Sequence, residues 1–238
     1  MPEFIPLFGK QLVLYKLFGL LGTIVTLIVG EILGRKYSFS YFKSMVFTVL
    51  ALEIRSVLLT VTSLIAGGGQ AAGYNHVRIV VALPIILLPF TLLFKERFWK
   101  VTDFVAPLLA LLNGIVCIGC IFPGCCHGYP SSWGLYSNIA GTVCFPLQPI
   151  EVACALLSAA VLLVMTKYKI QQGRLYAWYL IIFGSTRFLM EFLRDDEKIW
   201  LGMSEFSFHA LAAFVVGLTC MIVLNILHER SRRINETK

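Results

Sequence analysis

The chain has 238 residues, 58% of them hydrophobic and only 14% charged, with a formal net charge of +7. Its mean hydropathy is +0.81, which leaves too few polar side chains to cover a water-soluble surface of this size, so most of the chain has lipid as its solvent. The basic excess does not point to nucleic acid, because the lysines and arginines are dispersed rather than gathered into one patch with interleaved aromatics.

Several apolar runs approach or exceed the ~20 residues that cross a ~30 Å hydrocarbon core as a helix. They lie at about 12 to 33, 44 to 66, 77 to 94, 101 to 122, 149 to 166, 175 to 193 and 206 to 227. This predicts an all-α integral membrane protein, a single domain of seven transmembrane helices over residues 1–238, with one longer polar external loop at about 123–148. Glu3 and Lys10 precede the first run without a basic n-region or a small-residue cleavage site, so it is expected to be a retained helix. Arg35, Lys36 and Lys43 fall in the first loop, Lys95, Arg97 and Lys100 in the third, Lys167, Lys169 and Arg174 in the fifth, and Arg230, Arg232, Arg233 and Lys238 in the tail. The alternate loops are nearly bare. That alternation predicts an N-terminus outside and a C-terminus in the cytoplasm.

Charges inside spans cost ~2.5 to 3.5 kcal/mol each on insertion scales, so each requires a partner or a role. In chain order, Tyr15 sits at the outer start of the first helix, His76 at the outer start of the third and Asn113 in the fourth. Asp103, which starts the fourth from the cytoplasmic side, reads as an N-cap or interface residue. Gln148 and Glu151 open the fifth helix from the outside. Arg187, Glu191 and Arg194, spaced four and then three apart, share one face near the outer end of the sixth. Taken singly, Arg187 with Glu191 is a packing pair, Tyr15 an interfacial anchor and His76 a headgroup-level histidine. Together they gather where phospholipid headgroups meet hydrocarbon, and they make a candidate site. Pumps and channels are disfavoured, because the ionisable groups cluster at one interface instead of forming a path across.

The fourth helix ends in Cys117-Ile118-Gly119-Cys120-Ile121-Phe122-Pro123-Gly124-Cys125-Cys126-His127-Gly128, with Cys144 at the far end of the loop that follows. These residues leave three readings open: zinc ligands, a redox pair, or small apolar residues that permit close helix packing. Zinc is disfavoured because a vicinal pair does not readily give two ligands to one tetrahedral ion. Cys125 or Cys126 is a candidate disulfide partner for Cys144. Gly124 and Gly128 frame a tight turn whose N–H groups are candidates for facing an anion.

From Tyr15 to Phe214 these motifs resemble those of the prolipoprotein diacylglyceryl transferase family. Tyr15 to Gly22 resembles its first-helix tyrosine motif, and Thr102-Asp103-Phe104-Val105-Ala106-Pro107 its "ADLxAP" helix start. The run Ile118 to Gly128 resembles the cysteine-containing version of its signature, and Pro146-Leu147-Gln148-Pro149-Ile150-Glu151 is similar to "PTQLYE". Phe183 to Arg194 is similar to "YGxxRFxxEFxR", and Gly202-Met203-Ser204 to the "GLS" that opens the last helix.

The resemblance implies a seven-helix, multi-pass enzyme of the bacterial cytoplasmic (inner) membrane. Such an enzyme transfers diacylglycerol from phosphatidylglycerol to a lipobox cysteine thiol, without a metal or organic cofactor. On that footing Arg187 is expected to clamp the phosphate, Glu191 to hold Arg187, Tyr15 to contact the headgroup and His76 to transfer a proton. Gln148, Glu151, Gly124, Gly128, Arg194 and Asn113 are expected to bind substrate, with a phospholipid donor and a protein or other acceptor as partners. The chain also departs from the pattern. Cys117 stands where the signature has an essential arginine, Cys120 where many members have asparagine, and Phe145 where a histidine precedes "PTQ". The histidine-glycine-glycine motif is reduced to Tyr74-Asn75-His76-Val77-Arg78. Three functions therefore stand: the standard transferase, a homologue with another donor or acceptor, and a non-catalytic or thiol-redox relative.

Overall fold

Seven α-helices form among the residues described by the computed structural model, which are 4–7, 10–65, 75–168, 172–195 and 203–236. They are α1 (Leu14–Lys36), α2 (Tyr41–Ile65), α3 (Asn75–Leu93), α4 (Phe98–Cys120), α5 (Leu147–Met165), α6 (Arg174–Glu191) and α7 (Glu205–Glu236). Each apolar run of the sequence holds one of them. Four are both long and apolar enough to cross a membrane: α1, α4, α5 and residues Phe206–Arg230 of α7. The α7 helix outlasts its apolar run, and its last turns carry exposed His228, Glu229, Arg230, Arg232 and Arg233.

Two short antiparallel hairpins add to the all-helical expectation. Strands β1 (Phe4–Leu7) and β2 (Lys10–Val13) pair with Phe4 opposite Val13, so α1 starts at Leu14 rather than at residue 12. Within the expected polar loop, β3 (Pro130–Ser137) pairs with β4 (Thr142–Cys144).

The hub is α4. Every residue from Val101 to Ala110 is buried, so this helix is enclosed on all sides, as an apolar helix without a polar face should be. It packs against α1 and α5, while α6 pairs with α7. Small residues set these distances. A Cβ on Gly184 of α6 would stand 2.6 Å from the Phe214 nitrogen and 2.8 Å from the Ala210 oxygen of α7. By contrast, α1 turns a ridge of Leu20, Ile24, Ile28 and Ile32 outward, four residues apart and exposed, which suits a lipid-facing surface.

Around the lower half of α4, Phe39, Phe47 and Phe104 form one apolar core with Leu83, Leu87, Leu108 and Leu162. Pro84 lacks an N–H, which frees the Val80 carbonyl one turn back in α3, and the buried Tyr176 hydroxyl donates to that carbonyl. Asp103 is not the N-cap of α4, which begins at Phe98 after Arg97; buried inside that helix, it instead caps one far from it in sequence. Its carboxylate accepts from the Gly173 amide at 2.6 Å and the Tyr176 amide at 3.0 Å, satisfying the first turn of α6.

Candidate active site

At the opposite end of α4, the polar residues of four elements meet around a cavity of about 110 Å³. Tyr15 comes from α1, Asn113 and Cys117 from α4, Glu151 from α5 and Arg187 from α6, and all five line it. Asn113 and Cys117 lie one helical turn apart, with the thiol 3.9 Å from Asn113 Oδ1.

Behind the cavity wall the charges close into a ring. Arg187 Nη1 stands 2.5 Å from Glu151 Oε1, and its Nη2 stands 2.8 Å from Glu191 Oε1. Arg194, just past the end of α6, reaches the same Glu151 oxygen through Nη2 and lies 3.6 Å from Glu191 Oε1 through Nε. Ser204 Oγ donates to the other Glu191 oxygen at 2.9 Å. Two arginines thus face two carboxylates with no formal charge left over. Mutual pairing is what makes the burial of four charges tolerable, since removing one partner from a buried pair costs about 3–5 kcal/mol. Within the ring Arg187 is the most exposed member, at 15% of its side chain, against 0% for Glu191. Its Nε has no hydrogen-bond partner among the described residues.

The loop after α4 folds over this ring. Gly124, at φ 74°, and Cys126, at φ 58°, both adopt left-handed backbone, which is uncommon for a residue with a Cβ. Three elements hold the loop. Ser137 Oγ donates to the Gly124 carbonyl at 2.8 Å, Gln148 Nε2 to the Cys125 carbonyl at 3.1 Å, and the Tyr129 amide to the Leu193 carbonyl at 3.2 Å. The result brings the Sγ atoms of Cys120, Cys125 and Cys126 within 4.8 Å of one another. Hydrogen bonds from the Cys120 and Cys125 thiols, followed by the fields of Arg194 and Arg187, hold the Cys126 thiol well below its ordinary pKa despite its burial.

Seven of the ten residues singled out from sequence therefore converge. Tyr15, Asn113, Glu151 and Arg187 line the cavity, while Glu191, Arg194 and Gln148 stand behind it. Gly124 and Gly128 do not offer free amides to a ligand. Gly124 N–H donates to the Cys120 carbonyl at 3.2 Å and Gly128 N–H to the Phe145 carbonyl at 3.3 Å. Gly128 instead permits close approach, since a Cβ there would lie 2.8 Å from that of Phe145. His76 falls in the first turn of α3, and its side chain, like that of Arg78, lies outside the described residues. The disulfide considered for Cys144 is not formed: all seven cysteines are free, and the buried Cys144 thiol donates to the Thr142 carbonyl at 3.8 Å.

Sequence reasoning did not place Cys126, Cys154, Ser158 or Thr186 on the cavity, although all four line it. Cys154 and Ser158 follow Glu151 at roughly one-turn intervals, and that spacing was the available signal.

Residues 24–224 match the family model described as prolipoprotein diacylglyceryl transferase. The chain belongs to the prolipoprotein diacylglyceryl transferase family. A phosphatidylglycerol–prolipoprotein diacylglyceryl transferase of Clostridium tetani is 30% identical over 52% of this chain and 54% of its own length. One from Clostridium perfringens, numbered 2, is 29% identical over 57% and 56%, and one from Leifsonia xyli is 32% identical over 56% and 44%. The chain thus spans about half the length of the curated relatives it matches. The ring and the loop both fall inside the matched residues.

Proposed function

We propose that this family member moves a diacylglyceryl group from an anionic, phosphatidylglycerol-like phospholipid to an acceptor at the outer face of the bacterial cytoplasmic membrane, and that the acceptor is a lipoprotein cysteine thiol. The observation that carries the reading is Arg187, a guanidinium fixed by Glu151 and Glu191 with one edge on the cavity. In the reaction the acceptor sulfur forms a bond to the terminal glycerol carbon of the diacylglyceryl group. The bond from that carbon to phosphate oxygen breaks, and glycerol phosphate departs with the electron pair. A cation held beside the departing oxygen lowers that barrier, because its charge is already oriented when the leaving group's charge develops. The thiol proton goes to His76 in this scheme, and Tyr15 contacts the headgroup.

This reading requires the cavity to open at headgroup depth on the outer side. The proposal therefore includes seven membrane-spanning helices with the N-terminus outside. Reporter fusions after residues 40, 98, 170 and 238 are expected to be cytoplasmic, and fusions after 70, 135 and 199 external. An external tail would place the cavity in the wrong leaflet. The decisive test of function is whether the chain restores lipoprotein lipidation in cells depleted of the standard transferase.

A second reading is favoured by a specific observation. Cys117 replaces the signature's arginine, and the remaining charges of the ring already cancel. A pocket rebuilt in this way suits a different donor or acceptor on the same lipid scaffold. Failure to restore lipidation, together with retention of phospholipid by the purified chain, would select this reading.

A further inference from the structure

We propose that Cys120, Cys125 and Cys126 form a binding site for one soft, closed-shell metal ion of the Zn²⁺, Cd²⁺ or Cu⁺ type, with its open coordination side on the cavity. The three Sγ atoms lie within 4.8 Å of one another. Thiolates on one tetrahedral zinc, each at about 2.3 Å from the ion, stand about 3.8 Å apart, so the sulfurs need to close by no more than about 1 Å.

The objection from sequence was that vicinal cysteines project to different sides. The structure removes it at Cys126, whose left-handed φ of 58° turns the chain back so that both vicinal thiols meet Cys120. A residue with a Cβ holds that conformation only where its surroundings enforce it. Small apolar packing alone gives no reason for it. The bonds from Ser137 and Gln148 fix the loop before any ion arrives, which lowers the ordering cost of binding.

The ligand set is bounded on its other sides. His127 is not in the group: the ligand atoms that lie within 4.8 Å of one another are those of Cys120, Cys125 and Cys126. Cys120 and Cys126 both line the cavity shared by Cys117 and Arg187, so the remaining corner of the ion faces that space. A trithiolate complex of a divalent ion carries one negative charge. Zinc sites with three protein ligands keep the fourth position for an exogenous ligand, and a thiol that occupies it loses its proton to the solvent. The site stands on its own geometry, whether or not the transfer reading holds.

The full chain, purified in detergent, reduced and kept anaerobic, is titrated with Cd²⁺ while thiolate-to-metal charge-transfer absorption is recorded. Equimolar saturation is expected, lost in Cys120→Ser and in Cys126→Ser and kept in Cys220→Ser. Because Cys120 is buried at the end of α4 and Cys126 holds the turn that follows it, the unmutated chain provides a second measurement. Cd²⁺ should protect Cys120, Cys125 and Cys126, but not Cys220, from alkylation read by peptide mass. Absence of saturable absorption, or alkylation of the three thiols unchanged by Cd²⁺, overturns the proposal. So does a native disulfide between two of the three whose reduction fails to yield Cd²⁺ binding, which would assign the cluster to redox chemistry.

Discussion

The two ends of α4 bury charge in different ways. At the Asp103 end a lone carboxylate is answered by the peptide amides of Gly173 and Tyr176, within an aromatic core that includes Phe39, Phe47 and Phe104. At the Asn113 end four charged side chains answer one another, and the buried apolar cluster there consists, among the described residues, of Leu52, Leu112 and Val116. Peptide amides cannot leave their helix, so the first arrangement is fixed with the fold. Side-chain ion pairs can exchange partners, so the second can admit an anion by trading a carboxylate for a phosphate. On the proposed function, the difference separates an end that secures the fold from one that takes a ligand.

The largest expected effect tests the exchangeable end. Arg187→Ala should reduce lipid transfer by about 10²–10³, the scale on which removal of one donor to a developing oxyanion is felt. Arg187→Lys keeps the charge but not the fork that spans Glu151 and Glu191, and should recover only part of the loss. Transfer by Arg187→Ala at the wild-type rate would break the comparison, because the ring would then be a structural pair network like any other.

Next comes the fixed end. Asp103→Ala leaves the Gly173 and Tyr176 amides unanswered in a buried site, at a cost of about 1–3 kcal/mol. The unfolding midpoint in detergent should fall while transfer per folded molecule stays unchanged. A selective loss of transfer would show that the two ends are coupled. These two ends also differ in how well the sequence revealed them. The Arg187–Glu191 pair was legible because i,i+4 spacing on a helix is local. The bonds of Glu151 to both arginines were not, since they depend on how α5 packs against α6. Asp103 read from sequence as an N-cap of its own helix, whereas the amide it answers lies 70 positions away and only the tertiary structure identifies it. The helices themselves were legible because apolar length sets them. The β3–β4 hairpin and the left-handed Cys126 were not, as neither follows from a periodicity.

A smaller effect is expected from adding charge to the balanced ring. Cys117→Arg places a guanidinium on the cavity side of α4, one turn from Asn113. At an effective dielectric near that of a protein surface, a partly screened cation close to a phosphate should raise retention of anionic phospholipid on purification by about tenfold. Transfer from phosphatidylglycerol should rise with it if the chain is a weakened standard transferase. Retention without transfer would sharpen the comparison in favour of a rebuilt site.

The smallest effect lies outside both ends of the contrast, in the connection between α3 and α4. There Glu96 meets Lys43 at 2.6 Å and Lys100 at 2.9 Å, and Lys43 also donates to the Phe94 carbonyl at 3.1 Å. Although partial burial opposes ionisation, the bonds from Lys43 and Lys100 hold the Glu96 carboxyl below its ordinary value. A carboxylate shifted downward in the folded state adds stability above its unfolded pKa, and that contribution disappears as pH falls through the folded one. Lys43 is 30% exposed, so the pair is screened and worth no more than about 1 kcal/mol. Lys43→Ala should therefore lower the unfolding midpoint slightly at neutral pH. The gap from wild type should begin to narrow as pH drops below about 4.3, the ordinary glutamate value, and should close once pH has passed the lower folded value, where the carboxylate is lost in both proteins. A gap that persists in acid would mean that Lys43 acts through its bond to Phe94 rather than through charge. A gap as large as that of Asp103→Ala would show that ion pairs in this chain can be as fixed as peptide caps, and would remove the physical basis for distinguishing the two ends of α4.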